Sequence, residues 1–208
     1  MFSLAGKKAL IIGIANEDSI AFGCAKAFRE QGADLAITYP SEKAERFVRP
    51  IAEGLGADII LPLDVREDAQ YAQLFDRIGA DWGQVDICLH GGTCMTISYL
   101  GADRVVEHYN IMGPVKAALE SATRYMAAEL GPKGINVHAL SPGPLKTRAA
   151  SGIEHFDELM AQTSARAPTH HLATNGAVGA YAAFLASSEA TNVTGGGDYI
   201  DGGYHIVG

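Results

Sequence analysis

Short β-branched runs alternate with longer stretches of helical periodicity along almost the whole chain, and few folds satisfy that alternation other than a parallel sheet covered by helices on both faces. Lys8 to Gly13 (KALIIG) reads as the first strand. A helix follows from Ser19 to Gln31, then a strand from Asp34 to Tyr39, a helix from Ser41 to Gly54 and a strand from Asp58 to Pro62. Beyond Asp64 the pattern predicts a helix from Arg66 to Trp82 and strands from Val85 to His90 and from Thr93 to Ser98. A long helix from Tyr109 to Leu130, stopped by Gly131-Pro132, leads to a strand from Ile135 to Leu140 and the loop Ser141-Pro142-Gly143-Pro144. The segment from Gly152 to Thr169 reads as an interrupted helix; a last helix covers Ala177 to Ala186, and a last strand Asp198 to Asp201 ends in Gly202-Gly203.

These elements predict an α/β fold, a Rossmann-like doubly wound parallel sheet in a single domain over residues 1–208. One join breaks the pattern. Only Gly91 and Gly92 separate the strand ending at His90 from the one beginning at Thr93, whereas a crossover between parallel neighbours takes roughly a dozen residues or more. Either the two strands pair antiparallel, or a crossover segment is missing at residues 90–93.

A formal charge of −8, with Lys and Arg scattered among acids, argues against a nucleic-acid partner. The longest strongly apolar run, Ala9 to Ala15, is far short of the roughly 20 residues of a membrane-spanning helix, and no charged-then-apolar leader precedes it. A cytoplasmic protein is expected. Cys24, Cys88 and Cys94 are odd in number and fit reduced thiols in a core. The histidines lack ligand spacing, so no metal is expected.

The first strand runs into Gly13-Ile14-Ala15-Asn16-Glu17-Asp18-Ser19, a turn that opens a helix. Gly13 lets the backbone bend closely, and the helix N-terminus offers N–H groups to a pyrophosphate. Ser19 either caps the helix or reaches a phosphate oxygen. Where dinucleotide enzymes usually carry a ribose-binding acid, at the end of the second strand, this chain has Tyr39-Pro40-Ser41 with Glu42 just beyond and no basic pair for a 2′-phosphate. Asp64 either accepts from an adenine amino group or caps the helix after it. On the long helix, Tyr109 and Lys116 stand seven residues apart, two turns along one face. A phenol there can stabilise an oxyanion while an ammonium grips ribose hydroxyls; two exposed helix residues would show the same spacing. Tyr99, beside Ser98, is either a second catalytic tyrosine or strand-end packing. Tyr109 does not have Lys four positions later, the spacing of the wider dehydrogenase superfamily; only Tyr39 and Lys43, at the turn after the second strand, have it.

Taken together, G-I-A-N-E-D-S-I-A-F-G from Gly13, L-D-V at Leu63 to Val65, S-Y-L-G-A at Ser98 to Ala102, Y-N-I-M-G-P-V-K at Tyr109 to Lys116, S-P-G-P-L-K-T-R-A-A-S-G-I from Ser141 and the closing Y-I-D-G-G-Y-H make a specific combination. It resembles enoyl-[acyl-carrier-protein] reductase, of the short-chain dehydrogenase/reductase superfamily, over nearly the whole chain. The resemblance implies reduction of a trans-2-enoyl thioester on acyl carrier protein, with NADH preferred over NADPH, in fatty-acid synthesis. By it, Tyr109 would stabilise the enolate, Lys116 would hold the nicotinamide ribose and Tyr99 would complete the catalytic surface. Gly13, Ser19, Ile20, Asp64, Val65, Lys116, Leu145 and Thr147 would line the cofactor site. Thr147 to Met160 would form a substrate lid in which Ala149-Ala150 leave room for an acyl chain, and the assembly would be a homo-tetramer.

Three departures from the family pattern stand out. The family has a loop, a helix and part of the substrate pocket where this chain has Gly91-Gly92; that loop touches cofactor and that helix packs on a neighbouring subunit. Pro40 replaces a polar residue near the adenosine, and Gly176-Ala177 replace the acidic start of the last helix, predicting a weaker helix end. The missing crossover keeps open a dinucleotide-binding relic or a subunit-interaction protein; a carbonyl reductase of the same superfamily is a further alternative, opposed by the Tyr-Lys spacing.

Overall fold

Neighbouring residues of the first strand go to opposite faces of a sheet: Ala9 and Ile11 join one apolar cluster and Leu10 another, the period of two expected of a strand buried on both sides. A computed structural model describes residues 3–64, 66–88, 93–147 and 156–207. Among them, β1 (Lys8–Ile11), β2 (Asp34–Tyr39), β3 (Ile59–Pro62), β4 (Ile87–Cys88), β5 (Thr93–Ile97), β6 (Asn136–Pro142) and β7 (Gly197–Ile200) form one sheet. Its order is β3-β2-β1-β4-β5-β6-β7, with every neighbouring pair parallel. The helices are α1 (Ile20–Glu30), α2 (Glu42–Gly54), α3 (Asp68–Asp81), α4 (Met112–Leu130), α5 (Phe156–Arg166), α6 (Asn175–Leu185) and α7 (Tyr204–Val207). The chain winds outward from β1 to β3, then returns to β4 on the other side of β1. A crevice therefore opens at the carboxyl ends of the strands, between β1 and β4.

One face of the sheet has a single continuous core. Ile11, Leu35, Ile37, Ile87, Met95 and Leu140 from five strands meet Cys24 and Phe28 of α1 and Val178, Ala182 and Leu185 of α6. There α1 and α6 nearly touch, because Gly23 and Gly179 face each other: a Cβ on Gly179 would lie 2.2 Å from the Gly23 carbonyl oxygen. The opposite face is divided. Cys88 of β4 packs with Leu74 and Ile78 of α3, whereas Cys94 of β5 packs with Ala127 of α4. Yet Cys88 and Cys94 are partners in the parallel register of β4 and β5, so the apolar layer on this face breaks at the seam between these two strands.

Parallel pairing decides one alternative that the sequence left open: β4 and β5 do not form a hairpin. Residues 89–92, which connect them, lie outside the described residues. The helix boundaries correct two expectations and decide one alternative. The long helix begins at Met112, leaving Tyr109 off it; His108 and Asn110, either side of Tyr109, have positive φ of 61° and 49°, a left-handed backbone that an α-helix cannot continue. The last long helix starts at Asn175, earlier than the predicted Ala177, because the Thr174 hydroxyl accepts from the Ala177 N–H and supplies a cap in place of the absent acids. Asp64 does not cap α3; Glu67 holds the N-cap position.

Candidate active site

Four strands deliver the candidate residues from the carboxyl edge of the sheet. β1 delivers the turn from Gly13, β5 delivers Ser98 and Tyr99, β6 delivers the segment from Gly143 to Thr147, and β7 delivers Asp201. Gly13 has φ +102°, and a Cβ built there would meet nothing within 4 Å. A side chain at Gly13 is thus refused by backbone conformation alone, and the space above the turn stays open. Ile20 begins α1 and packs, as does Leu145 from the β6 loop, against the core cluster of one face of the sheet. Thr147 donates its N–H to the Leu145 carbonyl, 2.8 Å away, folding that loop tightly. Ser19 occupies the N-cap position of α1 without capping it: its hydroxyl donates to the Asn16 carbonyl at 2.6 Å. Of the two roles left open for Ser19, the cap is thus not taken, and its hydroxyl is spent within the turn. Asn16 Oδ1 is buried in this turn without a hydrogen-bond partner, an acceptor left for a donor that the described residues do not supply.

Asp64 stands at the end of β3, two strands from β1. Its carboxylate takes both a backbone N–H and a two-pronged guanidinium contact from Arg66, the latter at 2.9 and 2.6 Å. That partner holds its pKa down at about 2. Val65 lies outside the described residues, as do 148–155 of the expected lid, including Ala149-Ala150; its later part is the start of α5.

Tyr99 and Tyr109 come together. Their rings lie 4.9 Å apart, inclined at 58°, within the range of favourable aromatic pairs. Tyr109 reaches this place across Gly101, whose missing side chain leaves room for the ring. The Tyr99 hydroxyl is buried without a hydrogen-bond partner; burial, with Tyr204, Tyr109 and Asp201 nearby, pushes its pKa well above the usual phenol range. Burial also raises that of Tyr109. Lys116, one turn into α4, donates from Nζ to the Ile97 carbonyl at 2.6 Å, two residues before Tyr99, and burial lowers its pKa. The expected catalytic trio is thus assembled at the carboxyl end of β5, though by a turn and a helix start in place of one helix face.

Two further residues at this end of β5 had no role assigned from sequence. Gly101 lies within S-Y-L-G-A, where nothing in the spacing marks its contact with Tyr109. Glu120, one turn beyond Lys116, accepts a short hydrogen bond from the Ser98 hydroxyl; its i+4 spacing from Lys116 was the available signal. At the C-terminal end, Asp201 is nearly buried, accepts from the N–H groups of Gly203 and His205 at 2.9 and 2.8 Å, and contacts His205 Nδ1 at 3.0 Å. The His205 ring stacks on Tyr199 at 4.0 Å, and Tyr199 donates to Asp103 at 2.7 Å. This chain of contacts ties the C-terminal helix to the segment after Tyr99.

Comparison with known proteins places this geometry. A family described as enoyl-(acyl carrier protein) reductase matches residues 13–91 and 90–205, two stretches that meet at the β4–β5 connection. The Aquifex aeolicus enoyl-[acyl-carrier-protein] reductase [NADH] FabI is 37% identical over 252 aligned positions, covering 99% of this chain and 93% of the relative. The Escherichia coli K12 enzyme of the same name is 35% identical, covering 98% of this chain and 96% of its own. The solved structure of the Anaplasma phagocytophilum reductase in complex with NAD superposes with a TM-score of 0.92 at 34% identity, covering 100% of this chain and 97% of that one. The chain belongs to the enoyl-(acyl carrier protein) reductase family.

Proposed function

We propose that this chain reduces trans-2-enoyl thioesters carried on acyl carrier protein, with NADH, in fatty-acid synthesis. The observation that carries the reading is the pairing of Tyr99 and Tyr109 at 4.9 Å beside a half-buried lysine held to the same strand end. A dinucleotide fits the residues present: the open Gly13 turn and the N-terminus of α1 suit a pyrophosphate, and the Tyr99 hydroxyl is a buried group still lacking a partner. NADH, when bound, supplies hydride to the β-carbon of the enoyl group.

The chain's own residues do the rest. As the β-carbon gains hydride, the electron pair of the double bond moves to the thioester oxygen, giving an enolate. Tyr109, protonated because burial raises its pKa, donates its O–H to that oxygen, and Tyr99 lines the other side. A proton from water then bonds to the α-carbon as the enolate oxygen's electron pair returns to re-form the thioester carbonyl. Lys116 holds the nicotinamide ribose, and Gly13, Ser19, Ile20, Leu145 and Thr147 line the cofactor. Asp64 binds the adenine edge from its Arg66-paired position, followed by Val65. Thr147 to Met160 is the substrate lid. The protein works in the cytoplasm as a homo-oligomer, a tetramer by family pattern, and α4 supports this by leaving Met112, Val115 and Met126 exposed.

A crossover segment is missing between β4 and β5 of the single domain. Three observations support this: the break in the family match at residues 90–91, an alignment of 252 positions against a chain of 208 residues, and the divided apolar layer over Cys88 and Cys94. No helix among the described residues is long and apolar enough to cross a membrane.

The test is NADH oxidation with a trans-2-enoyl thioester, run beside Tyr109→Phe. Turnover that falls by roughly a hundredfold or more in the variant supports the reductase. A folded protein that binds NADH but turns over no thioester of any length is a cofactor-binding relic, the reading that the short β4–β5 connection favours.

A further inference from the structure

Ser98 sits between Ile97, whose carbonyl takes the Lys116 ammonium, and Tyr99. Its side chain is almost fully buried, and its backbone N–H is spent on the Leu140 carbonyl of β6 at 2.7 Å. A buried hydroxyl must find a partner, and this one donates to the Glu120 carboxylate in a short bond. Lys116 and Glu120 are one helical turn apart on α4, about 6 Å in rise. They therefore grip two successive residues, Ile97 and Ser98, just before Tyr99. Glu120 also lies against β7: a Cβ on Gly197 would stand 3.9 Å from its carboxyl carbon. A bond to a charged acceptor is roughly twice as strong as one between neutral groups, so the second grip is not a weak one.

We infer that Glu120 is a positioning residue, which through Ser98 fixes the backbone that aims Tyr99 at Tyr109 and at the bound substrate. This inference rests on the reductase reading above for its kinetic consequence, but not for its structural one.

The experiment compares Glu120→Ala, Glu120→Gln, Ser98→Ala and the double variant Ser98→Ala/Glu120→Ala with the unaltered chain. Because displacement of a reacting group by a fraction of an ångström to 1 Å costs up to about a hundredfold, Glu120→Ala and Ser98→Ala should each lower kcat about tenfold, with the KM for NADH unchanged. Glu120→Gln keeps an acceptor for Ser98 and should recover most of the lost rate. The double variant should fall no further than either single one, since both remove the same bond. Amide hydrogen exchange at residues 97–101 gives the reading that needs no turnover: protection falls in both alanine variants and is kept in Glu120→Gln. An inactive unaltered chain would count against the reductase reading, while exchange would still decide the role of Glu120. Unchanged kcat and exchange in Glu120→Ala, losses that multiply in the double variant, or a Glu120→Gln protein as impaired as Glu120→Ala would each overturn the inference.

Discussion

The ring of Tyr109 occupies the space that a side chain on Gly101 would need: a Cβ there would lie 2.5 Å from Tyr109 Cδ1 and 2.7 Å from Cε1. Gly101 follows Tyr99 by two residues, so one strand end both presents the first tyrosine and makes room for the second. Gly101→Ala must push the Tyr109 ring away from Tyr99. We expect kcat to fall at least about tenfold, with loss of stability confined to about 1–3 kcal/mol. Thioester kinetics and thermal unfolding of the same preparation check both.

Close packing of α1 on α6 depends on Gly179. The atom that an added Cβ would strike is the Gly23 carbonyl oxygen, which belongs to helix backbone and cannot rotate away. Gly179→Ala should destabilise by about 1–3 kcal/mol, the usual cost of overpacking, and lower Tm by roughly 2–4 °C for each kcal/mol. Gly79 in α3 is the control: a Cβ there meets nothing within 4 Å, and Gly79→Ala should stabilise by up to about 1 kcal/mol. Denaturant unfolding of the two variants separates them by sign.

The pH dependence of the reaction should follow Lys116. Burial lowers the pKa of Lys116 and raises those of Tyr99 and Tyr109. As pH rises, the lysine therefore loses its proton earlier than an ordinary lysine does, and on the proposed assignment its hold on ribose hydroxyls weakens with it. The alkaline limb of kcat/KM should have its midpoint below the ordinary lysine value. Lys116→Arg, whose guanidinium stays charged, should move that limb upward, although its rate at neutral pH will be lower. A limb that stays in place would assign it to another group.

All three cysteines are buried and free. Burial pushes Cys24 up to about 12 and raises Cys88 and Cys94, with Cys94 adding to the shift of Cys88. Because the thiolate is the reacting form, roughly one Cys24 thiol in ten thousand is ionised at pH 8. The native protein should give no fast reaction with an aromatic disulfide reagent at that pH, and three equivalents should react after unfolding in guanidinium chloride.

The parallel α/β architecture was legible in the chain itself. Continuously apolar runs such as those within KALI and DLAITY, buried over nearly their whole length, and the helical spacing between them require a sheet covered on both faces, and strand–helix alternation makes that sheet parallel. The family motifs were equally plain, since they are local strings. Boundaries were less so: nothing in the spacing from Tyr109 to Lys116 reveals that His108 and Asn110 adopt positive φ, because that backbone is imposed by packing around Gly101 and Gly113, the latter with no room for a Cβ beside the Gly101 carbonyl. The pairing of Asp64 with Arg66 and the turning of Ser19 toward Asn16 were also hidden, each being one of several local hydrogen bonds open to the same residues.

The sequence alone thus determined the fold class and the family and singled out candidate residues for the chemistry, because hydrophobic pattern and motif are properties of neighbours along the chain. Tertiary structure alone decided which of them meet. That Tyr99 faces Tyr109, that Glu120 reaches Ser98 across 22 residues and that Cys88 lies in register with Cys94 depend on how strands and helices stack, a long-range outcome of burial that no local spacing encodes.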